Sequence, residues 1–228
     1  MKFGVVVFPG SNCDQDAVDA LRLMDQPVVK LWHKDHDLQG CDFIILPGGF
    51  SYGDYLRTGA VARFSPIMNE VIRHAQQGGY LLGICNGFQI LAEAQLVPGV
   101  LLRNTSQQYA CKNVYLRPQS GDALLTAGLD DRAYKIPIAH GDGRYYADAD
   151  TLNRLNDNGQ VLFRYCDATG AITDDANPNG SLENIAGVCN DRKNVFGMMP
   201  HPERAADPAL GNTDGRLILE QLLTTLPV

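Results

Sequence analysis

Residues 80–89 read Tyr-Leu-Leu-Gly-Ile-Cys-Asn-Gly-Phe-Gln. The apolar run 80–84 predicts a short buried strand, and the stretch from Asn86 to about Ala94 predicts a helix, so the chain must turn sharply at Cys85. Gly83 and Gly87 flank the turn, as they must where a strand and a helix approach too closely for side chains. Glycine-x-cysteine-x-glycine has the form of a nucleophile elbow with sulfur in place of a hydroxyl. Such a turn lifts the thiol above the carboxyl end of its strand, where open α/β sheets bind ligands. It also sets the sulfur at a helix N-terminus, whose partial positive charge favours the thiolate. The backbone N–H of Asn86 then points to where an oxyanion would form. The same pentapeptide also reads as a buried cysteine in a glycine-flanked turn, so other residues have to decide between the two.

Upstream, strand-like and helix-like segments alternate. Residues 3–8 form a Val-rich run of the kind a parallel strand buried on both faces requires. The run breaks at Pro9-Gly10, and Ser11 or Asn12 can cap a helix that carries Ala17, Val18, Leu21 and Met24 on one face. Strands follow at 28–32 and 43–46, and Ser65-Pro66 starts a second helix that Gly78-Gly79 ends. This order implies an α/β fold, an open and mostly parallel sheet with helices on both faces. From 114 to 199 the pattern changes to short strands (114–117, 161–165, 195–199) separated by Gly/Asn/Asp-rich turns, which reads as an antiparallel extension. An amphipathic helix over 214–226 closes a chain expected to form one domain, residues 1–228.

Composition narrows the function. The 228 residues carry 19 Lys plus Arg against 26 Asp plus Glu, a net charge of −7, with 45% hydrophobic residues. That balance supplies a core and argues against a nucleic-acid partner, which needs a basic footprint. No apolar stretch approaches the roughly 20 residues that span a bilayer, and no secretory signal is expected, so the reading is a cytoplasmic protein. Six scattered cysteines, without a Cys-x-x-Cys pair or zinc spacing, read as free thiols rather than a disulfide or metal framework. Apart from Cys85 they are expected to be packing residues.

A cysteine nucleophile needs a base, and the base needs an orienting group. Among five histidines, His201 stands out in Met199-Pro200-His201-Pro202-Glu203, just past a predicted strand. Pro202 favours an extended backbone at His201, so Glu203, two residues on, can reach the ring and fix its tautomer. Alone, this is equally a proline-stiffened loop with a surface His/Glu pair. Pro47-Gly48-Gly49 can offer bare N–H groups to the same oxyanion, or be only a turn. No P-loop or dinucleotide fingerprint is present, because no Gly-Lys pair occurs and Gly141-x-Gly143 lacks a third glycine and a preceding strand. His33-x-x-His36 reads as a polar loop rather than a metal site. Asn104-Thr105-Ser106 and Asn179-Gly180-Ser181 match the glycosylation sequon, which has no meaning in an unsecreted protein.

Together the Pro-Gly-Gly loop, Gly83-Ile84-Cys85-Asn86-Gly87-Phe88-Gln89 and His201-Pro202-Glu203 resemble the class I (triad-type) glutamine amidotransferases, whose fold is flavodoxin-like. The elbow, residues 47–57 and Ile138-Ala139-His140-Gly141-Asp142-Gly143-Arg144 look most like the member of that family serving purine biosynthesis; 148–182 matches no motif. The resemblance implies that Cys85 attacks the amide of L-glutamine, with His201 as base and then acid and Glu203 orienting it. It places oxyanion N–H groups on Gly49 and Asn86 and a substrate contact on Gln89. It implies no cofactor in this chain. ATP and Mg²⁺ would sit on a synthetase partner that receives the ammonia, with a small accessory subunit beside it. A cysteine elbow of the stress-response/protease-like α/β superfamily would carry His directly after the cysteine, where this chain has Asn86. A non-catalytic binding module of the same fold would have no need of Cys85, His201 and Glu203 together.

Overall fold

A computed structural model describes residues 1–119 and 121–223. The strands are β1 (Phe3–Val7), β2 (Val28–Trp32), β3 (Phe43–Leu46), β4 (Tyr80–Ile84), β5 (Val100–Leu102), β6 (Ala110–Pro118), β7 (Tyr134–His140), β8 (Arg144–Tyr146), β9 (Val161–Cys166), β10 (Ile185–Cys189) and β11 (Val195–Met198). The helices are α1 (Asp14–Leu23), α2 (Pro66–Gln76), α3 (Asn86–Glu93), α4 (Ala149–Asp157) and α5 (Asp214–Glu220). Nine strands form one sheet in the order β2-β1-β3-β4-β11-β10-β9-β6-β7, while β5 and β8 pair separately.

The first five strands in that order are parallel, and the remaining pairings are antiparallel. Counting β11 as fifth, the parallel half has the 2-1-3-4-5 order of flavodoxin-like sheets. The β1-α1-β2 and β3-α2-β4 crossovers run in opposite directions from the middle of this sheet. Right-handed crossovers therefore set α1 and α2 on opposite faces. Strands β3 and β11 are buried along their whole length, as a sheet covered on both sides requires. Leu46 of β3 pairs with Gly83 and Met198 of β11 with Ile84. The register thus brings three strand ends, and the Pro-Gly-Gly, cysteine and His-Pro-Glu segments that follow them, to one edge.

Several expectations are corrected. The N-cap of α1 is Cys13, not Ser11 or Asn12, and its side chain makes no capping bond. Ser65 is the N-cap of α2 with Pro66 at the first helical position, as read, but its hydroxyl meets Tyr52 Oη at 2.8 Å instead of a helix N–H. The strand read at 114–117 extends over β6, and β7 and β10 went unread. Pro137 disguises β7, yet it is tolerated because β7 is the sheet's edge. Gly187 and a register shift disguise β10. Of the closing helix read at 214–226, α5 and a 3₁₀ turn at Gln221–Leu223 account for the first part, and 224–226 lie outside the described residues. Among the described residues, no helix is long and apolar enough to cross a membrane.

Candidate active site

Cys85 caps α3 with φ 50° and ψ −105°, a conformation costing a non-glycine residue about 1 to 2 kcal/mol. Two contacts hold it there. Its N–H donates to Met198 O at 2.8 Å, and a Cβ on Gly87 would collide with the carbonyl oxygen of Leu46. The turn is therefore locked from both neighbouring strands. Cys85 is 5% exposed, and its thiol makes a long hydrogen bond to Ala139 O at 3.7 Å.

His201 and Glu203 are buried just past β11, with Nδ1 to Oε1 at 2.6 Å. Burial alone would make the ring less basic. The Glu203 carboxylate and then the Cys85 sulfur outweigh it and push His201 up to about 10. The other ring nitrogen, Nε2, is buried and meets no partner within hydrogen-bond geometry among the described residues. It is nevertheless close enough to Cys85 for that sulfur to help hold a proton on the ring. Gly48 makes this approach achievable: a Cβ there would lie 2.7 Å from His201 Cε1 and 3.4 Å from Cys85 Cβ.

The six cysteines separate by environment. Burial is the first cause that raises Cys13 and Cys189 to about 12, raises Cys166 to about 11 and raises Cys41 as well. These four remain thiols at neutral pH and are poor nucleophiles. Cys111 is exposed on β6, so the expectation that every cysteine but Cys85 packs inside is wrong there. It is incomplete for Cys13. That sulfur accepts from Arg204 Nη2 at 2.9 Å and lies with the donor atoms of His201 and Glu203 inside a 4.8 Å cluster. The position of Cys13 immediately beyond β1, beside the reversal of strand order, was the signal available in the sequence.

A pocket of about 100 Å³ opens over Cys85, walled by Gly49, Asp54, Gln89, Arg103 and the 139–142 segment. Phe50 and Tyr109 stack across its mouth with ring centroids 6.4 Å apart. The N–H of Asn86 opens α3 and so lacks an intrahelical acceptor. Gly49 holds φ +127° against the backbone of Asn12 and lines the same pocket as Cys85. The Asn86 side chain accepts from Ser51 N at 3.1 Å and donates to Gln89 Oε1 at 2.9 Å. Gln89 in turn donates to Asp142 O at 2.7 Å. One chain of amides thus ties the glycine loop, the elbow helix and the turn after β7.

That turn is held by two asparagines whose local sequence reads only as a glycosylation sequon. Asn104 accepts from Gly143 N at 3.0 Å and donates to His140 O at 3.0 Å. Asn179 donates to Gly143 O at 2.8 Å and accepts from Ser181 Oγ at 2.8 Å. Both sequon asparagines are buried and brace the pocket, which gives the unassigned 148–182 segment a structural part in the site. His140, buried against this turn, is pushed down to about 4 by burial and then by the charge on His201, and so stays neutral. His33 spends its Nδ1 on Tyr52 Oη at 2.6 Å, consistent with a structural loop rather than a metal ligand.

The fold thus sets a cysteine elbow on a flavodoxin-like sheet beside a His–Glu pair that lies just past the neighbouring strand β11. The chain belongs to the CobB/CobQ-like glutamine amidotransferase family, whose model matches residues 1–215. It is 55% identical to the phosphoribosylformylglycinamidine synthase subunit PurQ of Gloeobacter violaceus, over 99% of this chain and 98% of that protein. It is 57% identical to the PurQ subunit of Synechocystis sp., over 93% and 96%. Among solved structures, a chain of PurLQS from Thermotoga maritima superposes with a TM-score of 0.85 at 42% identity, covering 97% of each chain.

Proposed function

We propose that this chain is the glutamine-hydrolysing subunit of a phosphoribosylformylglycinamidine synthase. It would release ammonia for an ATP-dependent synthetase subunit that converts formylglycinamide ribonucleotide to the amidine. The observation that carries the chemistry is the buried His201–Glu203 pair set against the Cys85 elbow. Near-full-length identity to PurQ subunits carries the choice of partner and pathway. The His201 ring already carries the proton, and the Cys85 sulfur attacks the side-chain amide carbon of L-glutamine. The developing oxyanion is held by the N–H groups of Gly49 and Asn86. Collapse of the tetrahedral species breaks the C–N bond, His201 returns the proton to the departing nitrogen, and a glutamyl thioester remains. Water activated by the same ring then releases glutamate. Glu203 holds the ring through Nδ1 and balances its charge throughout. Gln89 is placed along the pocket wall, where it positions the Asp142 turn as well as meeting substrate.

In this reading the chain carries no cofactor and works in the cytoplasm. ATP and Mg²⁺ belong to the synthetase, and a small accessory subunit completes the assembly. Glutamine hydrolysis measured with and without the synthetase, its nucleotide and its acceptor tests the proposal. The isolated chain is expected to be weakly active and to gain at least about tenfold in the complex, because closure completes such sites. An equally active free chain would contradict coupling to a partner. Gly48→Ala is expected to lower kcat about 100-fold, since moving the imidazole by about 1 Å costs that much in a positioned site. The Tm should change little, and an unchanged kcat would show that the close approach at Gly48 is dispensable.

A further inference from the structure

The mechanism uses the floor of the pocket, while its wall and rim hold three charges that the mechanism leaves unused. Asp54 and Asp142 both line the pocket, and so does Arg103, whose Nη1 is 3.7 Å from Asp142 Oδ1. Asp54 has no cationic partner among the described residues; its one contact is Asn86 Nδ2 at 3.5 Å. Burial and then the charge of Asp142 raise its carboxyl to about 6, the mark of a carboxylate short of a cation. The chain also adopts strained backbone to put it there. Tyr52, Asp54 and Leu56 all have positive φ, at 54°, 55° and 69°. Tyr52 is pinned by His33 and Ser65, and Ser51 N by Asn86. Strain kept in place by surrounding bonds, in a segment that aims a lone carboxylate into a ligand pocket, points to a ligand group that completes it.

Every primary amide presents the same reacting carbon to Cys85, so the reaction itself cannot select an amino acid. Selection has to come from the other end of the substrate, where glutamine carries one positive and one negative charge. The wall offers one unmatched negative group and the rim one half-exposed guanidinium held only loosely by Asp142 and by Gln107 O at 3.4 Å. We propose that Asp54 binds the α-ammonium group of the substrate and Arg103 its α-carboxylate, making these two the residues that restrict the site to a free amino acid. This rests on the glutaminase reading of the same site. Asp142, held by Gln89, sets the spacing of the two groups and keeps Arg103 at the rim until substrate arrives.

The test uses the complex with the synthetase and compares three amides: glutamine, glutaramate (glutamine without its amino group) and γ-aminobutyramide (glutamine without its carboxyl). Each analogue is assayed as a substrate and as a competitor of glutamine, so a constant is obtained in either case. Asp54→Asn suits the site because Asn tolerates the left-handed backbone. It is expected to lower kcat/KM for glutamine about 10- to 100-fold, mostly through KM, as loss of a charge-assisted bond predicts. The constants for glutaramate should stay within about threefold, because that ligand never used the carboxylate. Arg103→Met should mirror this, weakening glutamine and sparing γ-aminobutyramide. If either variant weakens all three amides equally, its residue is structural; if Asp54→Asn keeps the wild-type preference for glutamine over glutaramate, the assignment is wrong. A wild-type complex that releases no glutamate from glutamine would overturn the glutaminase reading instead, which is a separate result.

Discussion

Glutamine-dependent amidine synthesis by the complex is expected to fall by at least about 10³-fold in Cys85→Ala, the scale of losses when a covalent nucleophile is removed. Ammonia-dependent synthesis by the same complex should stay within about twofold, because supplying ammonia directly bypasses the only step this chain performs. The pairing of the two assays separates loss of chemistry from loss of assembly. The substitution should fold, since it replaces a thiol whose contact to Ala139 O is a long 3.7 Å. Alanine must still adopt φ 50°, a strain the cysteine already bears. Cys13→Ala is the informative companion. Its sulfur is held as a thiol near 12, so glutamine-dependent synthesis should persist there. If Cys85→Ala still turns over glutamine, Cys85 is not the nucleophile, and the nearby Cys13 becomes the first alternative.

Glu203→Gln is expected to lower kcat for glutamine hydrolysis by about 10³- to 10⁴-fold, as in other triads when the orienting carboxylate becomes an amide. The amide can still meet Nδ1 but no longer balances a charged ring. Burial, which favours the neutral imidazole, then acts against Cys85 alone. The base should therefore titrate well below the wild-type value near 10, and the pH–rate profile should move with it. Stability carries the same signature with a definite sign. Folding raises the affinity of His201 for its proton, so the resulting stabilisation is complete below about pH 6.5, the unfolded value. It is lost as pH rises through the folded value of about 10. The gap in Tm between wild type and Glu203→Gln should accordingly be widest near pH 6.5 and narrow toward pH 10. A gap that does not change with pH would show that Glu203 acts by packing rather than by charge.

The parallel half of the fold was legible because its signals are short and steric. The segments 28–32, 43–46 and 80–84 match β2, β3 and β4 residue for residue; the uninterrupted apolar run at 43–46, stopped by Pro47, leaves a buried parallel strand few alternatives. The antiparallel half was harder to read. Pro137 and Gly187 contradict the local pattern of a strand, and each is admitted only by its surroundings, an edge in one case and a shifted register in the other. Cys85, His201 and Glu203 could be named because the elbow and the His-Pro-Glu turn each lie within five residues.

Sequence by itself thus determined the strand–turn–helix rhythm and the candidate nucleophile and base, all set by the excluded volume and backbone preference of neighbouring residues. Only the tertiary structure decided how the pocket is walled. It joined Asn179 to Gly143, Asn86 to Ser51 and Gln89 to Asp142, turned Asp54 inward, and brought Cys13 beside His201 and Glu203. In one dimension a buried asparagine or aspartate resembles any turn residue. What fixes its role is the cost of leaving a buried polar group unpaired, and that depends on which distant segment the sheet order places against it.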